Sequence, residues 1–117
     1  MRQLKRLTVE IPPGSGATDI TNATFDPCEL DDLFEFKGGG NFSCIENVNV
    51  CPNNTAVFYN LNGGMWALSG DTLLTIAAGF NVQKFTFGKV TANSLELQQT
   101  SVNYLGELTR YTFLINK

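Results

Sequence analysis

Five carboxylates crowd one ten-residue stretch and are the first groups in the chain that could do chemistry. They are Asp26, Glu29, Asp31, Asp32 and Glu35. A glycosidase-like pair needs carboxyl groups held apart across a cleft, and neighbours along one strand are poorly placed for that. The stretch also lacks the D-x-D-x-D-G spacing of an EF-hand calcium loop. We therefore predict a solvated acidic surface, with calcium binding and catalysis as the alternatives.

Histidine is absent from the 117 residues. The chain therefore lacks the commonest general base at neutral pH, and Ser-His-Asp and Cys-His arrangements are excluded. A Cys/His zinc site is excluded too, and a Cys-only site would have three ligands where structural zinc sites usually have four. The glycine-containing stretch 14–18 precedes neither a lysine nor a helix, so it predicts a loop rather than a phosphate site. We expect a non-enzymatic protein with no metal and no cofactor.

Three cysteines, Cys28, Cys44 and Cys51, are spaced too widely for a C-x-x-C motif. One disulfide is favoured over three free thiols, and the best pair is Cys28 with Cys51. Strand alternation places Cys44 on the same face as Phe42, so Cys44 can lie in the core as a small apolar residue. A disulfide would indicate an oxidising compartment.

Length and charge restrict the class of protein. The 117 residues suit a single domain, 1–117, and the net charge of -3 with scattered basic residues argues against nucleic-acid binding. No window approaches the roughly 18 apolar residues of a membrane span. The basic start of the chain is not followed by the apolar stretch of a signal peptide. If the protein is exported, its export signal lies outside this chain.

Short runs rich in β-branched and aromatic residues alternate with Gly, Asn, Asp and Pro, which predicts strands rather than helices. The connections are short after residue 62, which favours a sequential meander. The fold class we predict is all-β, a small antiparallel up-and-down barrel of about eight strands. The predicted strands are 4–11, 30–37, 41–45, 64–69, 72–77, 82–90, 94–101 and 108–116. Segment 12–28 is predicted to be a long connection with a short helical turn, 46–54 to be irregular, and 55–61 to be either a strand or an extended loop.

Four pieces of sequence, taken in order, resemble the bacterial lipocalin-like domain of small secreted proteins and lipoproteins. They are "DPCELDDLFEFKGGGNF" (26–42), the cysteine at 51, "GGMWALSGDTLLTI" (63–76) and "LTRYTFLINK" (108–117). The hairpin around Trp66 carries most of the similarity. The chain departs from the family pattern in lacking a tryptophan in its first strand and in having the extra Cys44.

The resemblance implies an eight-stranded calyx, export from the cell and binding of a small apolar molecule. It also favours the pairing of Cys28 with Cys51. Membrane attachment would then depend on a lipid anchor that is absent from this chain. The resemblance transfers no catalytic residue, because the family has no common catalytic motif to match.

Aromatic residues recur at strand spacing and could line the inside of such a barrel. An eight-stranded barrel is just wide enough to be filled by side chains or to hold one small ligand. In the first case the rings are simply the core, and in the second they form a pocket at one mouth. The candidate ligand-binding residues are Phe34, Phe36, Trp66, Phe85, Phe87, Tyr111 and Phe113. Arg110 alternates to the opposite face from Tyr111, so no anion site is predicted from it.

Two functions follow from these features of the sequence. The leading one is a non-enzymatic, exported lipocalin-like barrel that binds a small apolar ligand. The alternative is a fully packed barrel that acts as a protein-interaction or structural module through its loops, because function concentrates in long irregular segments such as 12–28 and 46–54.

Overall fold

Nine antiparallel strands make up about half of the computed structural model, which describes residues 2–116. The strands are β1 Leu4–Glu10, β2 Thr18–Asp19, β3 Leu33–Phe36, β4 Phe42–Ile45, β5 Met65–Ser69, β6 Leu73–Ala78, β7 Asn81–Val90, β8 Ser94–Val102 and β9 Leu108–Asn116. The all-β antiparallel prediction is confirmed. The short β2, inside the predicted connection 12–28, was missed because two residues are too few to show an alternation.

Seven strands form one sheet in the order β2-β1-β9-β8-β7-β6-β5. From β5 to β9 each strand pairs with the next along the chain, as the short connections predict. The sheet then returns to the start of the chain, because β9 also pairs with β1, with Leu7 opposite Phe113. This pairing brings the first and last strands of the domain side by side.

The hairpin of β3 and β4 forms a second, two-stranded sheet. It touches the large sheet through two isolated bridges, Arg2 with Phe34 just before β1 and Asn41 with Met65 in the edge strand β5. Within residues 2–116 no continuous ladder closes the strands into a barrel. The predicted antiparallel strands are therefore present, whereas the predicted closed barrel is not found. The hairpin is too short, at four residues in each strand, to extend a ladder along both neighbours.

Two short helices, α1 Thr21–Thr24 and α2 Pro27–Leu30, lie between β2 and β3. The predicted helical turn corresponds to α1. The strand predicted at 30–37 begins later than expected, because residue 30 belongs to α2. Proline suits the first helical position, and the Asp26 backbone N–H donates to Glu29 Oε1 at 3.0 Å. These local signals hold residues 27–30 in a helix, so β3 begins only at Leu33.

Segment 55–61 is neither of the two predicted alternatives. It forms a turn followed by a 3₁₀ helix, Tyr59–Leu61, and its apolar side chains point into the core. The Ala56 carbonyl accepts a hydrogen bond from the Asn60 N–H at 3.1 Å, which closes the turn. No helix in the described part of the chain is long and apolar enough to cross a membrane.

Candidate ligand-binding site

Phenylalanine rings occupy the space between the large sheet and the β3–β4 hairpin. Phe58 stacks on Phe34 with 4.8 Å between ring centroids and on Phe85 at 5.7 Å, and it meets the edge of Phe113 at 5.6 Å. All four rings are buried. Three of them, Phe34, Phe85 and Phe113, are candidate ligand-binding residues of the sequence analysis, and in the structure they lie in the core, the first of its two alternatives.

Phe58 is the central ring of this core, and it was not among the predicted site residues. It comes from the turn at 55–61 rather than from a strand, so alternation could not place it. The sequence signal for it was the apolar run 56–59 in an otherwise polar segment. The void beside Phe58, lined by Leu4, Phe25 and Phe34 among others, is about 10 Å³. Such a void is about the size of one water molecule, so it cannot hold an organic ligand.

An apolar depression lies at one end of the sheet, and we call it the Trp66 mouth. Its volume is about 180 Å³. Its floor is formed by Leu74 and Leu97, which are buried. Its walls and rim are Arg2, Phe36, Trp66, Leu68, Phe87 and Leu95. Three predicted ligand-binding residues, Phe36, Trp66 and Phe87, therefore come together here.

Trp66 is held rigidly in this mouth by the turn between β3 and β4. Its backbone N–H donates to the Gly40 carbonyl at 2.8 Å, and its indole Nε1–H donates to the Lys37 carbonyl at 2.8 Å. The Phe36 ring stands at 87° to the indole with 5.8 Å between centroids. Gly40 has a φ of 93°, which a residue with a side chain would rarely adopt. The turn "GGGN" thus positions the aromatic walls.

Arg2 provides the charge at the rim of the Trp66 mouth. Its backbone is fixed by two hydrogen bonds with Phe34, at 2.9 and 3.0 Å. Its guanidinium carbon lies 5.9 Å from the centroid of the Phe36 ring, a cation–π distance. Its Nη1 atom is buried without a hydrogen-bond partner in the described part of the chain. Arg2 was not among the predicted site residues, because a basic residue near the start of a chain gives no signal of its own.

Tyr111 lies away from this mouth, in an open depression of about 390 Å³ shared with Phe113, Phe25 and Val57. Tyr111, one of the candidate ligand-binding residues, is therefore not part of the Trp66 mouth.

Arg110 lies on the opposite face of β9, as alternation predicts, and its Nε donates to Glu10 Oε2 at 2.8 Å. The aromatic set thus divides into a core, the Trp66 mouth and a separate surface depression.

Part of the acidic stretch is the predicted solvated surface, since Asp26 is exposed, but three of its carboxylates make hydrogen bonds to the segment that follows β4. Asp31 accepts hydrogen bonds from Asn47 and from the Asn49 backbone, and Glu29 accepts one from the Thr55 backbone at 3.2 Å. These carboxylates hold the irregular segment 46–55 against α2. Backbone N–H groups in a segment without regular structure need acceptors outside the backbone, and these carboxylate oxygens supply them. In residues 2–116 no group of three or more Cys, Asp or Glu side chains is arranged to hold a metal ion.

Asp32 is the buried member of this stretch. Its Oδ2 accepts a hydrogen bond from Asn54 at 2.8 Å, while its Oδ1 has no partner in the described residues. Burial raises the pKa of Asp32 to about 6, and the nearby carboxylate of Glu46 adds to the rise. Buried charge is costly without an opposite charge. Ionisation of Asp32 therefore lowers the stability of the folded state.

The cysteines are placed as predicted. Cys28 and Cys51 form a disulfide with 5.3 Å between their Cα atoms, and Cys44 is free and buried. Burial, with the neighbouring Asp32 and Glu46 carboxylates, raises the pKa of the Cys44 thiol to about 12. A thiol that stays protonated is a poor nucleophile. Cys44 thus packs as an apolar core residue.

Comparison of the chain with protein-family models, with curated proteins and with solved structures finds no match.

Proposed function

We propose that this protein is a non-enzymatic, exported, lipocalin-like barrel that binds a small apolar molecule at the Trp66 mouth. The observation that carries the proposal is the cluster of Phe36, Trp66 and Phe87 around one apolar depression at the end of the sheet. Binding sites of this kind are concave, largely apolar and lined by aromatic rings. The volume of about 180 Å³ lies below the roughly 300 Å³ of the smallest drug-sized pockets, so the ligand is small.

The lipocalin-like part of this proposal is supported by the way the β3–β4 hairpin lies between the start of β1 and the edge strand β5. Its bridges to Arg2 and to Met65 give the strands a ring-like order, with β3 next to β1 and β4 next to β5. A barrel with this order needs only those two junctions to be extended. The packed phenylalanine core then leaves the mouth, rather than the lumen, for a ligand.

Export and the absence of catalysis have their own support. The Cys28–Cys51 disulfide is typical of proteins in oxidising compartments. The chain has no histidine, its buried thiol has a raised pKa, and Asp31 and Glu29 hold backbone N–H groups. Among the described residues, these features leave no group placed as a general base or nucleophile at the Trp66 mouth.

Two half-exposed leucines provide the test. Leu68 is 53% exposed at the mouth, and Leu108 is 48% exposed at the start of β9. We expect a panel of one-ring and short-chain apolar compounds to raise the melting temperature of the wild type, because a ligand that binds only the folded state stabilises it. L68E should abolish the shift by placing a charge in the mouth, and L108E should keep it.

Native mass spectrometry of protein purified without detergent supplies a second measurement. A bound small mass that is present in the wild type and L108E but lost from L68E supports the proposal. Equal stabilisation of L68E and wild type, or no stabilisation by any compound in the panel, would overturn it.

A second function, docking to another protein through the loops, is favoured by two exposed hairpin turns. Phe80 in the β6–β7 turn is fully exposed, and Tyr104 and Leu105 in the β8–β9 turn are 94% and 65% exposed. Antiparallel pairing places both turns at the same end of the sheet. A partner captured by the wild type and by L68E, but not by an F80S/Y104S variant, would support this function. Capture that is unaffected by F80S/Y104S would exclude these turns.

A further inference from the structure

We infer that the ligand of the Trp66 mouth is a small apolar carboxylic acid whose carboxylate binds Arg2. The inference rests on the proposed function, since it names the chemical class of the molecule that the mouth would take. It is drawn from the charge at the rim and from the size and aromatic walls of the depression.

Arg2 is the charged residue among the eight that line the mouth, and the others are all apolar. An arginine has five N–H donors and normally uses them when they are buried. Here the buried Nη1 has no partner in the described residues, although the guanidinium is fixed beside the Phe36 ring. Because Arg2 also lines the mouth, its guanidinium is within reach of an acceptor that arrives with the ligand.

The protein does not offer Arg2 a counter-ion in the described part of the chain. The ion pair found there joins Arg110 to Glu10, at the far end of β1 from Arg2. A guanidinium binds a carboxylate through two parallel N–H donors, and the match is stronger in a partly desolvated site. An anion is therefore the group that complements this rim.

The body of the ligand follows from the volume. An apolar cavity of about 150 Å³ can hold one benzene ring. The mouth, at about 180 Å³, therefore has room for one ring or a short alkyl chain beside the carboxylate. The perpendicular Phe36 and Trp66 rings offer an edge and a face to an aromatic body. Aryl acids and short fatty acids share this chemistry.

The single tryptophan of the chain makes the test direct, because its fluorescence reports on the mouth alone. We would titrate the wild type with phenylacetate and hexanoate, and with the uncharged 2-phenylethanol and 1-hexanol. We expect each acid to bind about tenfold or more tightly than its alcohol, as a charge-assisted hydrogen bond would give. A larger response to phenylacetate identifies the aryl acid as the class, and a larger response to hexanoate identifies the alkyl acid.

Arg2→Gln and Arg6→Gln form a matched pair, since Arg6 is an exposed residue of β1 that lies outside the mouth. R2Q should bind the acids about tenfold or more weakly and the alcohols unchanged, whereas R6Q should match the wild type. Acids and alcohols that bind equally to the wild type would overturn this inference and leave the proposed function intact. If neither acids nor alcohols bind, the proposed function itself fails. The comparison on the wild type holds even if R2Q does not fold.

Discussion

At the scale of single residues, burial decides what each polar group does. Asp32 and Cys44 belong to types that often react, yet both lie in the core, where burial raises the pKa of each. Arg2 is the opposite case, a charged side chain kept at the rim of an apolar depression with one donor unused. The unused donor therefore lies on Arg2, whereas the carboxylates of Glu29 and Asp31 accept hydrogen bonds from the protein itself.

Asp32 gives a pH-dependent prediction. Its pKa is about 6 when folded and lies at the ordinary 3.8 when unfolded, so the folded state binds the proton more tightly. The Asp32 contribution to stability is then fully present below about pH 4 and is lost as the pH rises through 6. Asp32→Asn removes the charge and keeps an acceptor for Asn54. We expect D32N to gain urea resistance over the wild type at pH 7.5 but not at pH 4.

The control for this experiment is Asp71→Asn, in the exposed turn between β5 and β6. The wild type and each variant share every other group, so the difference between them isolates the substituted side chain. A difference that stays constant from pH 4 to 7.5 for D32N would contradict the burial of an ionisable Asp32. D71N should follow the wild type at both pH values.

At the scale of elements, the close packing of the Trp66 hairpin depends on Gly64. A Cβ at Gly64 would overlap the carbonyl oxygen of Ala77 in the neighbouring strand, whereas a Cβ at Gly38 would meet open space. Neither glycine has a positive φ. We expect Gly64→Ala to cost about 1–3 kcal/mol of unfolding free energy, as overpacking does, measured by urea denaturation. Gly38→Ala should stay within about 0.5 kcal/mol of the wild type, and equal effects would contradict this packing.

Most of the strands could be predicted from the sequence because period-2 alternation is a local property. The long strands β7, β8 and β9 lie close to their predicted ranges for this reason. Helix α2 and the turn at 55–61 could not be predicted in this way, because capping and tertiary burial outweigh the pattern there. The disulfide follows from Cys44 alternating toward the core.

The candidate site was harder to predict than the strands. Alternation identifies which rings point inward, but it cannot tell a ring at the centre from a ring at an end. That distinction depends on Phe58, whose chain segment enters the interior without forming a strand. Phe34, Phe85 and Phe113 were therefore grouped with Phe36, Trp66 and Phe87, which pack against the buried core from the side of the mouth.

At the scale of the whole molecule, the filled interior gives a further prediction. Phe58→Ala should cost about 3–5 kcal/mol, because it removes a ring that contacts three others and leaves a cavity. Phe80→Ala is the matched control, since Phe80 is fully exposed and should change stability by about 0.5 kcal/mol or less. Urea denaturation measures both. A cost for F58A no larger than that for F80A would show that the interior is not packed around Phe58.

The pairing of β1 with β9 also sets an order of events during synthesis. Six registered residue pairs join these strands, which makes β9 the main neighbour of β1. Because β9 is the last strand of the chain, β1 emerges from the ribosome long before that neighbour exists. Leu4 and Leu7, which are buried in the finished fold, must wait for β9 to cover them. Contacts so far apart in sequence form slowly. The sheet is thus completed only once β9 has emerged, and a nascent chain that stalls before β9 would display an unpaired, aggregation-prone edge.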